Sequence, residues 1–276
     1  MVIRLEPEAY GSVRSLYEPL RCNLVVDSMI DGNTPAWVFV DRKEDPQSAL
    51  MWNRQDAMLI AGEAGNPIFN REIAEVVKAQ IVPDARRRYI PELSLHYDST
   101  AWLIHKDLFL GSWAYEIAGR RCYRFDRLRV DWRGGIPTGY EMWPIDQPVL
   151  RNERLENIQH VAGWVRSFWR SYADFVQTSF GACLVDKTAP DAPVVTSWCL
   201  GVYVSGSDYE LGLFTMPDYR RQGQATLVSA AAIERCLQVK GRPHWHCWDD
   251  NRGSIAVAER VGFVDPTRYE VLRINI

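Results

Sequence analysis

Residues 210–225, ELGLFTMPDYRRQGQA, constrain this chain more than any other segment. Tyr209–Thr215 is rich in β-formers and reads as a strand, Pro217-Asp218 marks a tight turn, and Gln222 to about Val239 is an Ala-rich helical stretch. A helix entered this way presents its first amides, which have no backbone acceptor, at the end of a strand. The helix dipole places roughly half a positive charge at the same point. Gly223 lets an anion approach the backbone without a Cβ in the way, and small Ala225 lets the helix pack closely on the strand. Arg220 and Arg221 add fixed charge, so a pyrophosphate fits the turn. A plain strand–helix connection with solvated arginines uses the same residues, and the turn alone leaves both open. No Gly-Lys-Ser/Thr follows, and the glycine spacing is not that of a dinucleotide fingerprint.

The rest of the chain bounds what such a turn could serve. With 276 residues, 47% of them apolar, it can bury one large core or two modest ones. A net charge of −3 lacks the basic excess of a nucleic-acid-binding surface. No apolar run nears the ~18 residues of a membrane span, and the N-terminus has no signal-type apolar region. Six widely spaced cysteines without a CxxC read as reduced thiols, and the chain reads as soluble and cytoplasmic. Eleven Trp, twelve Tyr and nine Phe suit an apolar cleft.

In the first half, helical spacing covers Pro7–Arg21, strands are expected at Trp37–Asp41, Ala49–Asn53 and Ala57–Ala61, and a helix opens at Asn70 and ends at Pro83. Leu93–Tyr97, Cys122–Leu128 and Gly139–Ile145 read as strands, with a helix at Thr100–Leu108. A composition shift at 145–152 leads into a helical pattern from Glu153 to about Val176, with Asn152 as its N-cap. The division into domains 1–150 and 151–276 is placed there. Beyond it come strands at Gly181–Asp186 and Val194–Tyr203, separated by the proline-containing turn 187–193, then the strand and helix already described. His244–Trp248 is a strand, Gly253–Val261 a helix and Tyr269–Ile274 a last strand, giving a mixed α/β sheet.

Downstream of the basic turn, PHWHCWDDNRGSIAVAERVGF sets Asn251 and Ser254 at the start of a helix and Gly262-Phe263 at its end. With Arg220, Gly223 and Ala225 as an Arg/Gln-x-x-Gly-x-Gly/Ala turn, residues 180–276 resemble the GNAT superfamily of acyl-CoA-dependent N-acyltransferases. Glu210, Thr215, the Trp245-His246-Cys247 strand and the NxxSxxxAExxGF ending resemble the zwittermicin A resistance-type acetyltransferases within it. The resemblance implies two central parallel strands that splay apart around the pantetheine of acetyl-CoA. Leu213, Phe214 and Thr215 would lie nearest the pantetheine and thioester. Arg220 and the amides of Arg221, Gln222, Gly223, Gln224, Ala225 and Thr226 would hold the pyrophosphate, with Asn251 and Ser254 beside the cysteamine arm. Many members place a general-acid tyrosine seven residues after the asparagine, where this chain has Ala258.

The acceptor amine must lose a proton before or during attack, and Glu210, on the strand ahead of the cofactor portion, is the candidate base. Trp198 and Trp245 are candidate walls of the acceptor pocket. His244 and His246 form a His-x-His pair with no third ligand at suitable spacing, so no metal is expected. Arg86-Arg87-Arg88 reads as a solvated loop, and Cys199 as a buried thiol without a partner histidine. The expectation is an N-acetyltransferase that takes acetyl from acetyl-CoA to a small-molecule primary amine by direct attack, with no nucleic-acid or membrane partner. The N-terminal half, which lacks an R-x-x-G-x-A turn, is expected to be a degenerate copy of the same fold. Two alternatives stand beside this: a GNAT-fold module that only binds, and a tandem-GNAT transferase drawing on aminoacyl-tRNA, against which the acidic charge balance weighs.

Overall fold

The structure, a computed structural model, describes residues 1–189 and 192–276. Pro190 and Asp191, in the expected turn at 187–193, lie outside the described residues. In chain order the strands are β1 Ile3–Arg4, β2 Trp37–Val40, β3 Ser48–Trp52, β4 Ala57–Gly62, β5 Glu92–Tyr97 and β6 Tyr115–Phe125. They continue with β7 Tyr140–Pro144, β8 Gly181–Asp186, β9 Val194–Ser205, β10 Asp208–Thr215, β11 Arg242–Trp248 and β12 Phe263–Asn275. The helices are α1 Leu24–Ile30, α2 Pro67–Val76, α3 Val82–Arg87, α4 Lys106–Leu110, α5 Gln147–Leu150, α6 Ile158–Phe168, α7 Tyr172–Thr178, α8 Gln224–Gln238 and α9 Arg252–Val261.

Two compact units result: Met1–Arg120 with Arg268–Ile276, and Arg121–Thr267. The division differs from the one expected at residue 150. β7 pairs along its whole length with β8, so it belongs with the strands that follow it. The composition shift at 145–152 marks only the exit from β7 into α5.

In the first unit, β1 to β4 are antiparallel neighbours, β4 and β5 are parallel, and β5 pairs antiparallel with β12. In the second, β7 to β10 are antiparallel neighbours, β10 and β11 are parallel, and β6 lies beside β11. Parallel neighbours need a crossover, supplied by the helical residues 67–87 in the first unit and by α8 in the second. One plan is thus used twice, a mixed α/β sheet in each half.

Each unit has its own core. Trp52, Phe69, Trp102, Leu93 and Ile274 anchor the first. In the second, small residues of α8 (Ala230, Ala232) let the helix settle on a layer that includes Leu184, Leu211 and Trp245.

Several local expectations change. Pro83 does not end its helix: residues Val77–Ile81 form a π-type turn, and Pro83 falls in the first turn of α3, where its missing N–H costs nothing. That helix opens at Pro67 rather than Asn70, because the Asn66 side chain accepts from Phe69 N. Pro7–Leu20, with Gly11 and Pro19 inside it, is a 3₁₀ run. The helix expected from Glu153 to Val176 is two. It breaks at Trp169, which is extended, and restarts where Ser171 caps Asp174 N. Asn152 caps no helix; its side chain accepts from Arg154 N at 3.2 Å in a turn.

Candidate active site

β10 is paired with β11 only at its beginning, where Asp208, Tyr209 and Glu210 face Arg242, Pro243 and His244. Its other edge stays paired with β9 as far as Thr215 opposite Ser197. At Glu210/Leu211 the β9 register skips Val202, a bulge that bends the strands locally. After Glu210 the edge of Leu211–Thr215 that faced β11 has no strand partner among the described residues. The two parallel strands part there, as expected.

The gap opens into a groove of about 610 Å³ lined by Leu213, Phe214 and Thr215 of β10, the basic turn with the start of α8, and Asn251, Gly253, Ser254 and Val257 of α9. Every residue expected to touch the donor lines it except Gln222, whose side chain donates to Asp218 O at 3.3 Å.

Arg221 (φ 61°) and Gly223 (φ 79°) are both left-handed, on either side of Gln222, and curl the turn so that successive amides face one concavity. The amides of Arg221 to Ala225 have no acceptor among the described residues. Thr226 differs from expectation, because its amide donates to Gly223 O at 3.0 Å. The first turn of α8 carries no acidic residue, so no carboxylate competes for this positive end. Arg220 Nε donates to Thr215 O at 3.1 Å while its guanidinium lies 5.4 Å from the Phe214 ring centre, which fixes its charge at the groove mouth.

The opposite lip is held by side chains. Asn251 Oδ1 accepts from Ser254 N at 3.0 Å, capping α9, and Trp245 Nε1 donates to Ser254 Oγ at 3.1 Å. Trp245 is 1% exposed and belongs to the core under α8 and α9, so it lines no wall of this groove. α9 turns Val257 to the groove and buries Ala258 completely, so the helix offers no phenol there. Tyr219 does line the groove; burial, then Asp186, raises its phenol above the usual range and keeps it protonated.

Glu210 sits at the point of divergence, 8% exposed, with Oε2 3.0 Å from His246 Nδ1. One step back on both strands, His244 Nε2 lies 2.7 Å from Asp208 Oδ1, and Arg242 forks the same carboxylate. The Arg242 guanidinium, and after it His244, hold the Asp208 carboxyl below the usual carboxylate range. Both histidines are thus tied to carboxylates of the neighbouring strand, and no group of three or more His, Cys, Asp or Glu able to hold a metal is found among the described residues. Burial pushes the Cys199 thiol up to about 12, which makes it a poor nucleophile.

Aromatic side chains cover the Gly212 face of β10. A Cβ on Gly212 would stand 2.6 Å from Val202 Cγ1 and 3.2 Å from Trp164 Cζ3, so glycine lets Val202 and the α6 indole approach the strand this closely. Trp164 contacts Trp198 (5.8 Å between ring centres), Phe214 (6.1 Å) and Phe168 (5.9 Å). Trp198, 1% exposed, is the floor of this cluster. Sequence reasoning missed Trp164 and Phe168. Their i,i+4 spacing on one face of the helical stretch after residue 153 was the available signal.

Fold and groove together define a GNAT-type acyltransferase: a mixed sheet parting at one point, with an open amide turn on one lip and a capped helix on the other. The chain belongs to the GNAT acetyltransferase family, which it matches over residues 14–272. It is 24% identical over 267 residues to the uncharacterized N-acetyltransferase YdfB of Bacillus subtilis (strain 168), covering 97% of this chain and 96% of that one. Its fold is similar to that of a GCN5-related N-acetyltransferase-like protein from Streptococcus suis 89/1591, at a TM-score of 0.71, 18% identity and coverage of 97% and 99%. It is also similar to a tandem GNAT protein from the clavulanic acid biosynthesis pathway, at a TM-score of 0.60, 15% identity and coverage of 99% and 97%.

Proposed function

We propose that this acetyltransferase takes its acetyl group from acetyl-CoA and transfers it to a primary amine of a small molecule by direct attack. The observation that carries this is the run of open amides from Arg221 to Ala225 at the mouth of the β10–β11 gap. Those amides, with Arg220 and Arg221, would hold the pyrophosphate. The free edge of Leu213–Thr215 would pair with the pantetheine, and Asn251 and Ser254 would flank its end. Bound there, acetyl-CoA supplies an acyl group activated as a thioester.

Glu210 is the proton acceptor in this account. It takes a proton from the ammonium form of the acceptor, and the neutral nitrogen forms the new C–N bond as the C–S bond breaks. The nitrogen's second proton, lost as the amide forms, passes through water to the departing sulfur, since α9 presents Val257 and no phenol there. A CoA thiol is acidic enough to leave without a stronger acid. The ending of α9 and the Trp-His-Cys strand support a likeness to the zwittermicin A resistance-type enzymes.

Titration calorimetry and thermal unfolding with acetyl-CoA test the donor. At one hundred times Kd the ligand should add about 2.7 kcal/mol of stability, and Arg220→Ala with Arg221→Ala should remove most of that gain. An unchanged melting temperature at millimolar acetyl-CoA would overturn the proposal.

A further inference from the structure

We infer that the Gly212 face of β10 is the acceptor subsite, and that its substrate is a primary amine borne on an aromatic ring through a short chain. The inference rests on the donor and base assignments above and goes beyond them in naming the acceptor's chemistry.

Strand alternation puts Glu210, Gly212 and Phe214 on one face of β10. The bulge at this point takes its extra residue from β9, so the alternation on β10 is kept. Phe214 also lines the donor groove, which makes the aromatic cluster continuous with it. Trp164, Phe168 and Phe214 are each only half-buried, although their neighbours on α6, Val161 and Val165, are fully enclosed. Large rings left partly open beside a reaction groove are a wall for something flat and apolar. Beneath them the Trp198 indole N–H is buried with no acceptor among the described residues, a donor in the same cluster that nothing in the fold employs.

Charge sets the other half of the specificity. Two residues before Gly212 on the same face, the Glu210 carboxylate, oriented by His246 at 3.0 Å, suits an incoming ammonium. The second carboxylate on this face, Asp208, is forked by the Arg242 guanidinium and held by His244 as well. One ammonium can be matched here. A polyamine or aminoglycoside, with several cations spread over a polar body, would bring charges that meet indole and phenyl rings rather than carboxylates. An aryl-alkylamine satisfies both features at once.

The test uses the full chain and steady-state thiol release at saturating acetyl-CoA. The probes are 2-phenylethylamine and tryptamine, compared with n-butylamine, spermidine and kanamycin. We expect kcat/KM for the aryl amines to exceed that for n-butylamine by about tenfold or more, mostly through KM. Trp164→Ala should abolish that preference while leaving the KM for acetyl-CoA unchanged, and Trp164→Phe, which keeps a ring, should retain most of it. Equal use of aryl and alkyl amines, a preference for spermidine or kanamycin, or a preference indifferent to Trp164→Ala in protein of normal melting temperature would each overturn the inference. So would the lack of turnover with every aryl amine in protein stabilised by acetyl-CoA, an outcome that leaves the donor assignment standing. Failure to bind acetyl-CoA at all would remove the donor assignment and the inference together.

Discussion

Glu210 and His246 meet across the parallel strands at the residue where those strands separate, carboxylate Oε2 to imidazole Nδ1 at 3.0 Å. An ionised Glu210 can only accept, so the imidazole donates from Nδ1 and fixes the carboxylate's orientation. In this account Glu210 meets the amine proton and His246 positions Glu210. Glu210→Gln should lower kcat by about 10²- to 10⁴-fold without altering the KM for acetyl-CoA. His246→Asn, whose amide can donate from nearly the same place, should keep far more of kcat than His246→Ala. Initial rates with acceptor and donor varied separately check both points. Equal loss in the two His246 variants would assign the histidine a packing role only.

The basic turn carries local strain that separates binding from folding. Arg221 is left-handed at φ 61°, a conformation that costs a residue with a Cβ ~1 kcal/mol relative to glycine. Arg221→Gly should therefore leave the melting temperature unchanged or raise it, while loosening acetyl-CoA through loss of charge. Gly223→Ala, at φ 79°, should do the reverse to stability and cost about 1 kcal/mol. Thermal unfolding and calorimetry on the two variants give the signs directly.

Gly212 supports the indole of Trp164 by close approach, and a methyl there would press on Val202 and Trp164. Gly212→Ala should destabilise the fold by about 1–3 kcal/mol and shift the tryptophan emission. A variant as stable as the parent, with unchanged emission, would mean that α6 is free to move away.

The Asp208 carboxyl is held below its ordinary range by Arg242 and His244. A carboxylate whose pKa is lower in the folded protein contributes stability above its unfolded pKa, near 3.9, and that contribution fades as pH falls through the lower, folded value. Asp208→Asn should thus cost about 1 kcal/mol at pH 7, a modest figure because Arg242 is largely exposed. The gap to the parent should start to narrow below about pH 4 and shrink further as pH falls. Urea unfolding at pH 7 and pH 3 measures it, and a pH-independent gap would contradict the ion-pair origin.

Cys199 lies wholly buried with its thiol pushed up to about 12. It should resist alkylation by iodoacetamide at pH 8, and Cys199→Ala should retain turnover, consistent with direct attack rather than an acyl-enzyme. Loss of activity in a normally folded Cys199→Ala protein would reopen the covalent route.

The part of this fold most legible in the sequence was the part whose chemistry is local. A strand, a Pro-Asp turn, a glycine and an Ala-rich helix dictate their own geometry, so the turn from Arg220 to Ala225 is legible from local chemistry, while Leu213–Thr215, Asn251 and Ser254 come with the resemblance, and Tyr219 and Val257 with neither. What periodicity could not show depends on pairing between distant segments. The strand read at Gly139–Ile145 falls before the composition shift, and only its hydrogen bonds to β8 reveal that it belongs with the second unit. His246 and Asp208 carried no visible role, since each takes its partner from a strand some 36 residues away. Trp245 and Trp198, the expected walls of the acceptor pocket, are both buried in the core, and the half-open ring beside the strand is Trp164 of α6. Pro83 does not end its helix, because the π-type turn at Val77–Ile81 precedes it and leaves it in the first turn of α3.

The contrast between the halves bears on the central claim. In the first unit β4 and β5 stay paired through Ile60 opposite Tyr97, and Asp98 N continues to Ile60 O at 3.3 Å. α2 begins with Pro67, and the Asn66 side chain already occupies Phe69 N at 3.0 Å. Among the described residues, that crossover has neither a gap between its parallel strands nor an open amide run like the one at Arg221–Ala225. Hydrogen-exchange mass spectrometry with and without saturating acetyl-CoA measures both places in one experiment. Peptides covering Arg221–Ala225 should gain strong protection, while those covering Asn66–Asn70 should not change. Protection at Asn66–Asn70, or none at Arg221–Ala225 in protein that demonstrably binds the ligand, would contradict the account.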